Sequence, residues 1–216
     1  MPNQSGNAYG LTTLCPLEGD SDKDRSFAAV VRARLKGLDL NEDSPLSKVP
    51  NLYLCRFFIL DEATYQGSPA KLDRLKSKYL VFVCDFHGPL EPFLANMWDS
   101  AKETIASVWE FCVGFKSRVN DRDGFARYIK TCQVTTTFYF NGSTDEPVEE
   151  QLKALYLKQE FAKFAADNQG KTAAALQGAF EEFAKRVEPS NLAGPTWRPG
   201  ASSLEVAEVD GRRTLP

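Results

Sequence analysis

The sequence predicts an α+β fold of βαββαβ order: an antiparallel four-stranded sheet with helices on one face and further helices toward the C-terminus. Three observations carry this. Strand-like runs of β-branched and aromatic residues recur at Leu11–Leu17, Asn51–Leu60, Tyr79–Phe86 and Gln133–Phe140. Stretches with helical apolar spacing separate the first from the second and the third from the fourth. Turn-rich or charged connections divide every pair of elements.

Taken in order, Met1–Gly10 is polar and glycine-containing and reads as a flexible lead-in, so order is expected to begin near Leu11. After the acidic stretch Glu18–Asp24, Ser26 is placed to cap a helix whose face is Phe27, Val30, Val31, Leu35 and Leu38, with Gly37 at its stop. In Asn51–Leu60, strict alternation puts Leu52, Leu54, Arg56, Phe58 and Leu60 on one side and Tyr53, Cys55, Phe57 and Ile59 on the other. Both sides are strongly apolar, so this sheet wants a second cover.

Tyr79–Phe86 runs into Asp85-Phe86-His87-Gly88-Pro89, where Gly-Pro ends the strand and opens a helix. That helix extends from Leu90 to about Phe111, with a break expected near Ala101–Ile105. A short helix around Phe125, Tyr128 and Ile129 leads to Gln133–Phe140. Beyond the turn at Asn141-Gly142, two helices follow, the first capped by Thr144 or Asp145 and the second beginning after Asn168-Gln169-Gly170. One domain over residues 11–188 is expected, with 189–216 as an extended tail anchored by Trp197.

Composition narrows the function. The 216 residues carry 26 Lys and Arg against 29 Asp and Glu, a net charge of -3, so there is no basic excess for nucleic acid. The longest apolar runs fall far short of a membrane span and the first residues do not form a signal peptide. The five cysteines, with no C-x-x-C pair, read as reduced core thiols in a cytoplasmic protein. A single histidine, His87, cannot build a multi-histidine metal site, and no metal is expected. P-loop, G-x-G-x-x-G, G-x-S-x-G and H-E-x-x-H signatures are all absent.

Candidate chemistry therefore rests on isolated polar residues. Asp85 and His87, two apart on a strand, share a side and suit acid–base work, or equally the start of the following helix. Arg56, in an apolar strand, must face a cavity or pair with an acid such as Asp61 or Asp85. Gln133, Thr135, Thr137 and Tyr139 give the last strand a hydrogen-bonding side that either lines a pocket with Arg56 or faces solvent, and Tyr53 joins them as a substrate-binding candidate.

This element order is that of a ferredoxin-like fold. Residues Val49–Phe57, Tyr79–Gly88, Ile105–Phe115 and Val134–Phe140 resemble the dimeric α+β barrel superfamily, which includes dye-decolourising peroxidases and small monooxygenases and cyclases. The resemblance implies a homodimer, a hydrophobic or aromatic small-molecule substrate over the sheet and oxidative chemistry. It leaves open haem, with His87 as axial ligand, and a cofactor-free site. A non-catalytic binding protein or partner subunit for a lipid-like ligand is the alternative.

Overall fold

The computed structural model describes residues 3–19, 26–64, 67–68 and 72–201. It is a mixed α+β fold built on a four-stranded antiparallel sheet of order β1-β2-β4-β3, where β1 is Gln4–Ser5, β2 Ala8–Pro16, β3 Leu52–Thr64 and β4 Leu72–His87. Six helices accompany it: α1 Phe27–Lys36, α2 Leu90–Trp109, α3 Phe115–Arg118, α4 Arg122–Cys132, α5 Val148–Asp167 and α6 Ala173–Val187.

One face of the sheet is the core. Leu11, Cys15, Leu80, Phe82, Cys84 and Phe86 are fully buried beneath α2 and α4, whose Leu94, Met97, Ile105, Trp109, Phe125 and Ile129 meet them. The Trp109 ring packs edge-on against Phe57, Phe82 and Phe125, and its indole N–H donates to the Cys15 sulfur at 3.4 Å. These large rings at interior density explain why the helix spacing was legible from apolar positions alone. Ser26 caps α1 by accepting from the Ala29 N–H, and α2 does break, with non-helical backbone at Ala101.

Several expectations change. Residues 133–140 do not form a strand: one bridge, Thr13 with Gln133, and one bond, Val134 N–H to Thr12 O at 2.8 Å, are their whole pairing with β2. The fourth strand comes instead from the N-terminal hairpin, so the βαββαβ order is not met strand for strand.

From Asn3 on, the lead-in is correspondingly ordered. Asn3 is buried, and its side chain donates to Gly10 O at 3.0 Å and to Thr136 Oγ1 at 3.1 Å. Polar character here reflects clamping of two backbones rather than solvation. Asp145 does not cap a helix either, since α5 starts after Pro147. Its carboxylate accepts from the Asn7 backbone N–H and side-chain amide at 2.8–3.0 Å, holding the β1–β2 turn where Gly6 takes φ +62°.

The polar residues before Tyr79 extend β4 back to Leu72, longer than the apolar run alone implied. In β3 a register shift between Leu52 and Leu54 overturns the strict alternation. Leu52 opposes Phe86 and packs on the core, while Tyr53 and Leu54 both line a cavity on the other side, as an extra residue in a bulge allows. From Leu54 to Leu60 the alternation holds, with Cys55, Phe57 and Ile59 toward the core and exposed Leu54, Arg56 and Phe58 on the open face, before a second register shift between Leu60 and Glu62.

The C-terminal helices pack on each other through Phe161, Phe164, Phe180 and Phe183. Beyond α6, Trp197 donates to Gln159 Oε1 at 2.8 Å, which anchors the tail on α5 at that point; the tail beyond Ala201 lies outside the described residues.

Candidate functional site

The open face of the sheet carries the candidate site where β2, β4 and β3 run side by side. Gly10, Asp85 and Leu54 are cross-strand neighbours there. Gly10 is required by close approach: a Cβ on it would stand 2.7 Å from Tyr139 Cε2. The Tyr139 ring therefore lies on bare backbone, with its hydroxyl close enough to Asp85 to feel the carboxylate charge. Burial, then the neighbouring Asp85 carboxylate, push the Tyr139 hydroxyl up to about 12. It stays a proton donor at neutral pH.

Over this floor lies a cavity of about 600 Å³. Leu54, Phe140, Val148, Leu152 and Leu155 give it apolar walls, and Asp85, Tyr139, Tyr53, Gln151, Asn141 and Ser143 its polar groups. The first turns of α5 form one wall, which is how a C-terminal helix enters the site. Asp85 is the only charged residue among the lining groups, and it sits half-buried. A carboxylate with apolar walls around it recognises a donor on an otherwise apolar molecule.

The other predicted residues are dispersed. His87 shares the open side of β4 with Asp85, but its Nδ1 lies 3.1 Å from the Tyr53 hydroxyl, which donates to Glu146 O at 2.7 Å. Burial and the nearby Asp145 and Glu146 carboxylates raise the Tyr53 pKa. His87 lines neither this cavity nor two others, of about 500 and 290 Å³, beside β3 and beneath α5. None of these three cavities among the described residues brings a haem-sized space to the imidazole.

Arg56 is exposed, because β3 is an edge strand and its open-face residues meet solvent. It lines the 500 Å³ groove rather than the Asp85 cavity, and the nearby acid Asp61 is paired with Arg32 at 2.7 Å. Gln133 donates to the Tyr9 hydroxyl at 2.7 Å, and Thr135 and Thr137 are exposed and line none of the three cavities. The four polar residues of 133–140 do not act as one face because that segment leaves the sheet after Val134. Of the predicted set, Asp85, Tyr139 and Tyr53 come together.

Among the described residues, no group of three or more His, Cys, Asp or Glu side chains is arranged to hold a metal ion, and no helix is long and apolar enough to cross a membrane. No family model, no curated protein and no solved structure matches the chain.

Proposed function

We propose that the protein binds an apolar or aromatic small molecule bearing one hydrogen-bond donor, in the cavity between the open sheet face and α5, with Asp85 receiving that donor. The observation that supports this is a single carboxylate, backed by the Tyr139 phenol, on the floor of an apolar-walled cavity. A charge-assisted hydrogen bond there contributes about 1.5–3 kcal/mol, enough to select ligands with a donor over those without.

A second reading, enzymatic, is favoured by the same contact. Asp85 would take a proton from the bound O–H or N–H, and Tyr139 would steady the carboxylate by donating to it. Peroxidase- or monooxygenase-like chemistry rests on the superfamily resemblance alone. That resemblance has this support in the fold: β2, α1, β3, β4 and α2 follow ferredoxin-like order, and Gln133 bridges the edge of β2 where a last strand would lie. The expected homodimer would cover Leu54 and Phe58 on the open face, 70% and 44% exposed, and sedimentation velocity reads it as a doubled mass.

Titration with N-phenyl-1-naphthylamine, an apolar fluorophore with one N–H, tests the binding reading. Saturable fluorescence enhancement is expected, abolished by Leu152→Trp, which fills the cavity, and weakened about tenfold or more by Asp85→Leu. Enhancement that neither variant changes would place the dye elsewhere and end this reading.

A further inference from the structure

The cavity of about 290 Å³ beneath α5 is built from three separate pieces of chain. Residues 47–51, between the short 3-10 turn Pro45–Lys48 and β3, supply one part of its lining, and Val148, Glu149 and Leu152 of α5 supply another. The tail supplies the third, from residues between 192 and 199. On either side of Thr196 the tail is fastened to α5, by Lys153 on Pro195 O at 2.7 Å and by Trp197 on Gln159 Oε1 at 2.8 Å. It therefore forms a fixed wall rather than a loose cover.

Among the described residues, two buried side-chain polar atoms have no hydrogen-bond partner, Asn51 Oδ1 and Thr196 Oγ1, and both belong to residues that line this cavity. An unpaired buried polar group costs about 1–3 kcal/mol, so two in one place call for a partner. Asn51 is held where it stands by its backbone, which takes φ +63° and whose carbonyl accepts from the His87 N–H at 2.9 Å. The other polar groups of the lining are engaged elsewhere or lie in solvent. Ser47 shares its proton between Glu42 O and Ser44 O, and the Trp197 indole is taken by Gln159. Lys48, Glu149 and Arg198 are exposed, and exposed charges of both signs select little. Most of the remaining wall is apolar, and the volume is nearly ten times the roughly 30 Å³ that one water takes in the liquid. Two unengaged atoms cannot give several waters the two to four partners that each needs.

We propose that this cavity is a second binding site, for a compact neutral molecule with an apolar body and a polar group that donates and accepts side by side, as a primary carboxamide does. Its N–H meets Asn51 Oδ1, which can only accept, and its carbonyl takes the Thr196 hydroxyl proton. Both protein atoms are shut off from bulk water, so the Asn51 amide and the Thr196 hydroxyl turn about their side-chain bonds to meet the guest. The site does not depend on Asp85, although Val148 and Leu152 line both cavities.

Titration of the full chain with benzamide, followed through the indole N–H resonances of its three tryptophans, tests this. The Trp197 signal, identified by its loss in Trp197→Phe, should shift saturably while those of buried Trp98 and Trp109 stay in place. Toluene, which has no polar group, should bind about tenfold or more weakly. Thr196→Val should weaken benzamide binding about tenfold, yet leave the thermal midpoint of the ligand-free chain unchanged or higher, because a methyl replaces a hydroxyl that has no partner. Asn51→Gly, which accepts the same left-handed backbone, should weaken it likewise. Asp85→Leu should leave benzamide binding intact, so that failure of the Asp85 cavity as a binding site and failure of this one are separately visible. A Trp197 resonance that does not saturate, or that saturates alike in the wild type and Thr196→Val, overturns the proposal. So does a ligand-free Thr196→Val chain that unfolds at lower temperature, which would show that water already pairs the hydroxyl.

Discussion

The Tyr53 hydroxyl stands 3.1 Å from His87 Nδ1 and donates its one proton to Glu146 O at 2.7 Å. A carbonyl oxygen can only accept, so the phenol has no second proton for the imidazole and must accept from Nδ1–H. In its neutral form His87 then leaves Nε2 as the acceptor. Nitrogen chemical shifts of His87 should report the Nδ1–H tautomer in the wild type. Tyr53→Phe should convert a large part of it to Nε2–H and cost about 1 kcal/mol of stability. An unchanged tautomer would mean that another group orients the ring.

Gly10→Ala tests the floor of the cavity. The backbone at Gly10 imposes no special conformation, so the added methyl acts through the Tyr139 ring 2.7 Å away. Displacing the ring separates it from Asp85 and lets the hydroxyl titrate nearer its ordinary value of 10.0 instead of about 12. Alkaline ultraviolet titration should show one tyrosine ionising earlier in the variant. The cost of overpacking is about 1–3 kcal/mol, small enough for the protein to remain folded. Binding of N-phenyl-1-naphthylamine should weaken in parallel.

What could be read from the sequence divides along physical lines. Phe27 through Leu38, Leu90 through Trp109 and the β4 core residues were legible because burial imposes a period on apolar residues. Residues 133–140 misled for the same reason: their β-branched and aromatic content is strand-like, yet their backbone bonds go to β2 at one point and to Asn3. Period also fails at a bulge, and one extra residue at Tyr53 separates that phenol from Cys55, Phe57 and Ile59, with which alternation groups it, and puts it at the cavity. Asp85 was visible as an acid at a strand end. Its partners Gly10, Tyr139 and Leu152 come from far along the chain, and nothing local in the sequence signals that they meet.

The thiols give a pH prediction with a definite sign. Cys15 is pushed from 9.0 up to about 12, chiefly by its neighbour Cys112 and by burial, and Cys84 is raised well above 9.0 by burial. Each holds its proton more tightly folded than unfolded, so the native state binds more protons between the two values. Their contribution to stability is complete below about pH 9 and is lost as pH rises toward 12. Urea midpoints should accordingly be flat with respect to these groups up to pH 9 and fall above it. Burial predicts that a thiol reagent at pH 8 leaves Cys15, Cys84 and Cys112 untouched in the native protein and modifies all five cysteines in urea.

Lys153 of α5 ties the end of α6 and the tail to its own helix. It is 2% exposed, and its ammonium donates to Val187 O at the end of α6 and to Pro195 O, each at 2.7 Å, with the Tyr156 ring 5.5 Å away. A helix C-terminus presents unpaired carbonyls and a partial negative charge, which is why a cation rather than an apolar residue occupies this interior position. Lys153→Met keeps the aliphatic packing but leaves two carbonyls without their donor. The expected loss is about 2–4 kcal/mol, from the desolvation penalty of each unsatisfied group. It should appear in hydrogen exchange as faster opening of α6 and of residues 189–197, with β2 and β4 unaffected. Lys153→Arg should recover part of the protection, because guanidinium donors can still reach the carbonyls while their bulk strains the pocket. Equal exchange in the wild type and Lys153→Met would show that the aromatic cluster of Phe161, Phe164, Phe180 and Phe183 holds the helices together without this cation.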